Sequence, residues 1–299
     1  MIVWSNGVLG SPSQLSSLNF SLQYASGVCW EGLRSYKQAD GTCKIFKLHQ
    51  HITRLFDSAK ILGIQIPFAQ NVIEQACVTL IEANGNEDLY LRPVVFLKND
   101  GKSMKLDNPE VSVEIYAYPA PVQSKELKMS ISNIIRGYPQ YNMQCKCSPN
   151  YSMLEMAKQE ILSKNVDDVF LVDNLGYITE ARVANVWVFK GDVAMTPPNN
   201  GSILPGVTRK CLAELLQSDT MFSRYQVAPI VVEKQITKAD LYTADCVILC
   251  GTYMEIANVV QIDGRQIGNK DSHKYYRILK TEFAKLTRGI FKDDQRSNS

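Results

Sequence analysis

The sequence lacks the features that mark several large classes of protein. It has no apolar run near the roughly 18 residues that a membrane-spanning helix needs, so no membrane association is predicted. Its 32 basic and 30 acidic residues leave a net charge of only +2, which gives no electrostatic reason to expect nucleic acid as a partner. The first residues, MIVWSNGVLGS, lack a basic segment followed by an apolar one, so no secretion signal is predicted there.

Motifs that bind metals or dinucleotides are also scarce. Three histidines are too few for a legible Ser-His-Asp set, and neither C-x-x-C nor G-x-G-x-x-G occurs. His49 and His51 are two residues apart, so they point to different sides of a helix, and the C-K-C and C-V-I-L-C pairs lack matching partners. We therefore predict no metal site. Without a secretion signal, the eight cysteines are expected to be reduced thiols in a cytoplasmic protein.

What the chain does have is a regular alternation of predicted elements over 299 residues. Period-2 apolar patterns predict extended segments at 2–9, 89–97, 111–119, 128–136, 168–173 and 176–190. Helical spacing predicts helices at 49–63, 71–85, 152–165, 207–218 and 273–289, before a charged tail, KDDQRSNS, that is expected to be frayed. The fold class predicted is α+β, with a small N-terminal domain (1–119), a Pro-rich linker (120–134) and a larger C-terminal domain (135–299).

Some charged residues of the first half have two readings. Tyr90 and Arg92 in LYLRPVVF share one face of a strand, where an arginine is more often a salt-bridged edge residue than a functional one. Arg54 lies within a helical pattern, where most arginines are solvated. Neither residue identifies a site by itself.

The second half offers better candidates. In SILPGVTRKCL a Pro-Gly turn precedes a helix with Thr208 in its first turn, and the free N–H groups of such a start favour a phosphate, although a plain turn is commoner. Glu180 lies among apolar neighbours, where a carboxylate needs a cation or an N–H partner. Lys146, between two cysteines and ahead of Pro149, is either a surface charge or a buried amine kept for chemistry.

Taken together, these segments resemble the fold-type IV pyridoxal-phosphate enzymes, above all the branched-chain amino acid aminotransferases. The resemblance covers roughly residues 3 to 290 and rests on separate motifs in family order. These are WEGLRSY (30–36), H-x-x-RLFDSAK (51–60), LYLRP (89–93), K-x-x-x-NY (146–151), GYITE…N (176–185), TPP…ILPGVTR (196–209) and CGT-x-x-EI (250–256). The architecture it implies is the two-domain fold of the D-amino acid and branched-chain aminotransferases, working as a homodimer.

The resemblance implies a role for each matching residue. Lys146 would carry pyridoxal 5′-phosphate as a Schiff base and shuttle a proton. Glu180 would keep the pyridine nitrogen protonated, Tyr151 would donate to the phenolic oxygen, and Leu204 would pack on the ring. The phosphate would be held by Arg54, Val207, Thr208 and Thr252. The substrate would be bound by Trp30, Tyr90, Arg92, Thr252 and Tyr253, with Arg92 reading a second carboxylate.

The function that this implies is transfer of an amino group between an amino acid and a 2-oxo acid such as 2-oxoglutarate. A lyase of the same fold, like the aminodeoxychorismate lyases, is the alternative, because the same lysine can lead to elimination. The chain departs from the family where Trp30 replaces a usual Phe, where Arg182 and Val183 replace small residues, and where Tyr253-Met254 follows the Gly-Thr turn. A substrate that is not simply small and branched is therefore expected, unless Trp30 only fills volume and Arg182 points to solvent.

Overall fold

The computed structural model describes residues 2–11, 27–98, 109–121, 126–136, 143–269 and 272–290. The tail that was expected to be frayed lies outside these residues. Within them the chain forms two sheets, each with its own helices and buried core. The predicted α+β class is confirmed.

The first sheet has seven strands in the order β2-β1-β7-β6-β4-β5, with β3 paired to β6. Its strands are β1 (Val3–Ser5), β2 (Val8–Gly10), β3 (Val28–Trp30), β4 (Leu33–Lys37), β5 (Cys43–Ile45), β6 (Leu89–Lys98) and β7 (Glu110–Pro119). Helices α1 (Leu48–Ile61) and α2 (Gln70–Ala83) cover it. Helix α1 packs through Ile52, Leu55 and Ala59, whose spacing of three and four places them on one face.

The second sheet has nine strands in the order β10-β9-β8-β15-β14-β11-β12-β13, with β16 paired to β15. Its strands are β8 (Glu126–Ile135), β9 (Asp168–Val172), β10 (Ile178–Ala181), β11 (Asn185–Lys190), β12 (Val193–Thr196), β13 (Ile230–Glu233), β14 (Cys246–Gly251), β15 (Glu255–Ile262) and β16 (Arg265–Gln266). Its helices are α3 (Pro149–Lys164), α4 (Val207–Leu216), α5 (Asp219–Tyr225), α6 (Lys238–Tyr242) and α7 (Lys274–Thr287).

The predicted linker 120–134 is wrong from residue 126 onward. Residues 126–134 belong to β8, a strand inside the second sheet that runs parallel to both of its neighbours, β15 and β9. The alternating apolar residues Leu127, Met129 and Ile131 are buried, as expected for a strand inside a sheet. The Pro-rich stretch therefore does not indicate a linker beyond residue 125. The exact division of the chain into two domains stays a prediction.

The two sheets are joined by polar contacts between buried residues. The amide N–H of Trp30, at the end of β3, donates to the carbonyl of Lys146 at 3.1 Å. The guanidinium of Arg34, on β4, lies 3.3 Å from the carboxylate of Glu255, and both side chains are buried. These contacts fix how residues of the first sheet face those of the second. No helix within the described ranges is both long and apolar enough to cross a membrane.

Candidate active site

Every residue of the predicted site lines one cavity of about 260 Å³ between the two sheets. The first sheet and its helices contribute Trp30, Arg54, Tyr90 and Arg92. The second sheet, its helices and its loops contribute Lys146, Tyr151, Glu180, Leu204, Val207, Thr208, Thr252 and Tyr253. Motifs from both halves of the chain therefore meet in one place, while the role of each residue stays a prediction.

Lys146 is held at the cavity by its backbone and by aromatic rings. Its amide N–H donates to Ser58 Oγ at 3.0 Å, and its Nζ donates to Tyr151 Oη at 2.6 Å. Nζ also lies 3.9 Å from the centre of the Trp30 ring, a cation–π distance. Burial lowers the pKa of Lys146 to about 7, with Arg54 adding to the effect and Glu31 partly opposing it. Lys146 is therefore an amine that faces a cavity and not a surface charge.

Tyr151 connects the lysine to the aromatic wall of the cavity. It lies in the first turn of α3, which begins at Pro149, and its ring is tilted against Trp30 with 4.8 Å between ring centres. Burial raises the pKa of Tyr151, so its hydroxyl stays protonated near neutral pH. The hydroxyl can therefore donate a hydrogen bond to an oxygen in the cavity.

Glu180, at the end of β10, is a buried carboxylate with several partners. It pairs with Arg136 Nε at 2.5 Å, accepts from Asn185 Nδ2 at 2.8 Å and accepts from the Leu204 N–H at 3.2 Å. Burial raises the pKa of Glu180, and the Arg136 charge opposes this. The carboxylate can therefore hold a cationic or N–H group in the cavity.

Arg136 belongs to the site although no motif of the sequence pointed to it. It lines the cavity, is buried, and lies directly after the apolar strand β8. A charged residue at the end of an apolar run was the available signal, since such a group needs a buried partner. Asn185 was noticed only as part of a motif, yet its Nδ2 links Glu180 to the Leu204 carbonyl at 3.0 Å. Its Oδ1 lies so close to Gly206 that a Cβ there would be only 1.9 Å away.

Arg54 directs two N–H groups of its guanidinium at the carboxylate of Glu31. Its Nε donates at 2.6 Å and its Nη2 at 2.9 Å. Its Nη1 donates to the Pro205 carbonyl at 2.8 Å, which ties α1 to the loop before α4. Burial lowers the pKa of Arg54, but the Glu31 charge outweighs this and the pKa is raised. Arg54 is therefore a fixed cation beside the start of α4.

The N-terminus of α4 faces the same cavity. Gly206 is the N-cap residue and has no side chain to cap the helix, so the N–H groups of the first turn have no side-chain cap. Val207 and Thr208, which follow it, line the cavity. An uncapped helix start next to the Arg54 cation is a place where an anion is favoured.

Aromatic and cationic side chains form the remaining wall. The rings of Tyr90 and Tyr253 meet edge-on with 5.6 Å between centres, and the Arg92 guanidinium lies 4.9 Å from the Trp30 ring. Tyr90 Oη reaches in over Gly32, where a Cβ would be only 2.1 Å away. Any side chain at Gly32 would therefore displace Tyr90 from the cavity.

Arg182 does not simply point to solvent. Its Nε donates to Asp168 Oδ1 at 2.7 Å, and the residue also lines the cavity. Strand β10 ends at Ala181 after an irregular pairing with β9, so Arg182 lies in the bend beyond the strand. Because of this irregular pairing, Glu180 and Arg182 do not alternate as residues of one regular strand.

The two cysteines beside Lys146 do not line the cavity in the part of the chain that the structure describes. Cys145 and Cys147 are buried in the core of the first sheet, together with Cys29. Among the described residues, no group of three or more His, Cys, Asp or Glu side chains is arranged to hold a metal ion.

Comparison with known proteins identifies the family. The model of the family "Amino-transferase class IV" matches residues 29–262. The branched-chain-amino-acid aminotransferase of Pseudomonas aeruginosa is 31% identical over 276 residues, which are 89% of this chain and 86% of that protein.

Solved structures agree with the family match. The branched-chain aminotransferase from Thermoproteus uzoniensis, crystallised with norvaline, has a TM-score of 0.86 at 26% identity, covering 99% of this chain and 96% of that one. The branched-chain amino acid aminotransferase from Thermobaculum terrenum, solved in its PLP form, shares the fold with a TM-score of 0.85 at 22% identity, covering 97% and 94%. This chain belongs to the amino-transferase class IV family and is an aminotransferase of fold type IV.

Proposed function

We propose that the protein is a pyridoxal-phosphate-dependent aminotransferase that moves an amino group between an amino acid and a 2-oxo acid such as 2-oxoglutarate. The observation that carries the proposal is a lysine with a pKa lowered to about 7, facing a cavity that also holds a buried carboxylate and an uncapped helix start. The relatives named above are aminotransferases, which favours transamination over the lyase reaction.

The residues around the cavity fit pyridoxal phosphate. Its phosphate needs cations and N–H donors, and Arg54 and the first turn of α4 provide both at the Pro205 loop. Its ring nitrogen needs a carboxylate, for which Glu180 is available on the same cavity. Its phenolic oxygen needs a donor, and Tyr151 Oη lies 2.6 Å from the lysine Nζ. Leu204 adds an apolar surface for the ring.

When bound, pyridoxal phosphate supplies a carbonyl that takes up the amino group and a ring that withdraws electrons from the substrate Cα. Lys146 Nζ would hold the cofactor and then accept and return the proton at that Cα. Because burial lowers its pKa to about 7, a sizeable fraction of Nζ is neutral at neutral pH and can accept a proton. Arg136, Asn185 and the Leu204 N–H would hold the Glu180 carboxyl group in place.

The substrate would lie along the aromatic and cationic wall. Tyr90 and the turn at Thr252 and Tyr253 would receive its carboxylate, and Arg92 could pair with the second carboxylate of glutamate. Trp30 would limit the space for the side chain of the substrate. The substrate class that we propose is an amino acid of branched-chain type or a pathway-specific relative of it. Trp30 favours the relative, because a ring larger than the usual Phe narrows the space for a branched aliphatic side chain.

We also propose a homodimer in the cytoplasm. The dimer is implied by the family resemblance and is tested by light scattering after size-exclusion chromatography. A cytoplasmic location is supported by the cysteines, because all eight are unpaired thiols in the structure.

One spectroscopic experiment tests the proposed reaction. The purified protein should show the visible absorbance of lysine-bound cofactor, lose it with an amino donor, and regain it with a 2-oxo acid. A panel of donors and acceptors then identifies the substrate. Lys146→Ala is the control, because it should bind cofactor without this cycle. Loss of absorbance with formation of an elimination product and no need for an acceptor would indicate a lyase, and no absorbance at all would refute the proposal.

A further inference from the structure

Glu31 is a fully buried carboxylate that does not line the cavity in the described part of the chain. It lies between β3 and β4 and is surrounded by nitrogen atoms. Arg54 donates to it from Nε and Nη2, His51 Nδ1 lies 3.0 Å from its Oε2, and the Gly32 N–H donates at 3.2 Å. Burial would raise the pKa of Glu31, but the Arg54 charge and the His51 contact lower it, so the group is an anion.

We propose that Glu31 is a positioning residue that aims the Arg54 guanidinium at the cofactor phosphate, an inference that rests on the function proposed above. A guanidinium has five N–H donors in a rigid plane. Glu31 takes the Nε proton and one Nη2 proton, and the Pro205 carbonyl takes one Nη1 proton. Subtracting these three from five leaves one N–H on each Nη nitrogen for a ligand.

The two remaining N–H donors belong to the Arg54 guanidinium, which hydrogen bonds hold on two sides. The Glu31 fork sets the plane of the guanidinium, because two parallel N–H bonds permit only one orientation. The bond to Pro205 then fixes that plane relative to α4, which begins two residues later at Val207. The anion site formed by the helix start and the arginine is therefore assembled by a carboxylate behind it.

Glu31 also sets the charge of this region. Arg54 is a cation and Lys146 is the amine next to it, and the Glu31 charge acts on both of them. Without a carboxylate behind it, Arg54 would be a buried cation without its anionic partner, and the favourable orientation would be lost along with the charge balance. A side chain of the same shape but no charge separates these effects from packing.

The test compares the binding of two cofactor forms that differ only in the phosphate. Dissociation constants of pyridoxal phosphate and of pyridoxal are measured for the wild type and for Glu31→Gln by titrating the cofactor-free protein. We expect Glu31→Gln to weaken pyridoxal phosphate binding about 10- to 100-fold, the range for losing charged hydrogen bonds. Binding of pyridoxal should change less than about twofold, because it lacks the group that Arg54 holds.

Two further variants make the result decisive. In an Arg54→Lys background, the Glu31→Gln change should have little additional effect on pyridoxal phosphate, because both residues act through one contact. Glu74→Gln is the matched control: its carboxylate also pairs with a histidine, His49, at 2.9 Å, but outside the cavity. It should change neither dissociation constant. If Glu31→Gln does not fold, Glu31→Asp replaces it in the same comparison.

The outcomes separate the two proposals. If the Glu31 variant loses affinity equally for both cofactor forms, or for neither, Glu31 does not act on the phosphate and this inference is wrong. If the wild type itself binds pyridoxal phosphate no more tightly than pyridoxal, the phosphate site does not exist and the proposed function fails first.

Discussion

Replacing Lys146 with methionine should stabilise the cofactor-free protein near neutral pH. Burial lowers the lysine pKa from 10.5 to about 7, which means that the folded state resists the charged form. A lysine whose folded pKa is below its unfolded value costs stability when the pH is below the unfolded value, and the cost is complete below the folded pKa. Methionine fills a similar length with no charge to bury.

The pH dependence of this cost gives the magnitude. Between pH 7 and pH 10.5 the unfolded chain binds more protons at this site than the folded chain does. By linkage, the free energy of unfolding of the wild type should therefore rise by about 2 kcal/mol relative to that of the variant between pH 7 and pH 9. Because Lys146 is half-buried and faces the cavity, solvent there reduces the gain toward about 1 kcal/mol.

The assay is urea unfolding of both cofactor-free proteins at pH 7, 8 and 9, followed by circular dichroism. Lost packing and the lost hydrogen bond to Tyr151 shift the free energy of unfolding by a similar amount at each pH, so they cancel in the slope. The difference in free energy of unfolding between the two proteins should change steadily from pH 7 to pH 9. If this difference is the same at every pH, Lys146 has an ordinary pKa and the explanation of its reactivity by burial is wrong.

Three other variants test the site. Glu180→Gln should lower kcat about 10- to 100-fold while cofactor stays bound, since an amide does not hold a protonated ring nitrogen, and an unchanged kcat would contradict this. Arg54→Ala should purify with little cofactor and regain activity in excess pyridoxal phosphate; full retention through dialysis would mean that Arg54 does not hold the phosphate. Trp30→Phe should widen the space for branched side chains and so narrow, by about tenfold, the gap in kcat/KM between valine, leucine and isoleucine and a preferred polar, aromatic or cyclic donor. If valine, leucine and isoleucine already have higher kcat/KM values than all other donors in the wild type, Trp30 does not set the specificity.

Local pattern predicted the five longer helices of the described residues but not the two short ones, α5 and α6. Helices α1 and α2 each begin within one residue of the predicted start, because apolar residues at helical spacing require a shared buried face. Strand β8 was partly assigned to a linker, because proline marks where a strand ends and does not mark where the next one begins.

The motifs predicted which residues line the cavity, but the sequence did not show which charged side chains pair with each other. Arg54 and Glu31 are 23 residues apart, and Arg182 and Asp168 are 14 apart. Each pairing depends on how strands and helices meet in space, which periodicity does not specify. The same holds for Arg136, whose partner Glu180 lies on a different strand.

The cavity has walls from both sheets, and this ties the amount of folded protein to the supply of its ligand. A molecule that fills the cavity binds only the arrangement in which both halves are docked, so it adds about 2.7 kcal/mol to stability at a free concentration one hundred times its dissociation constant. Cells short of the cofactor would hold more of the chain in open forms that proteases can cut. Vitamin B6 status would then set how long each copy of the enzyme lasts, as well as how fast it works.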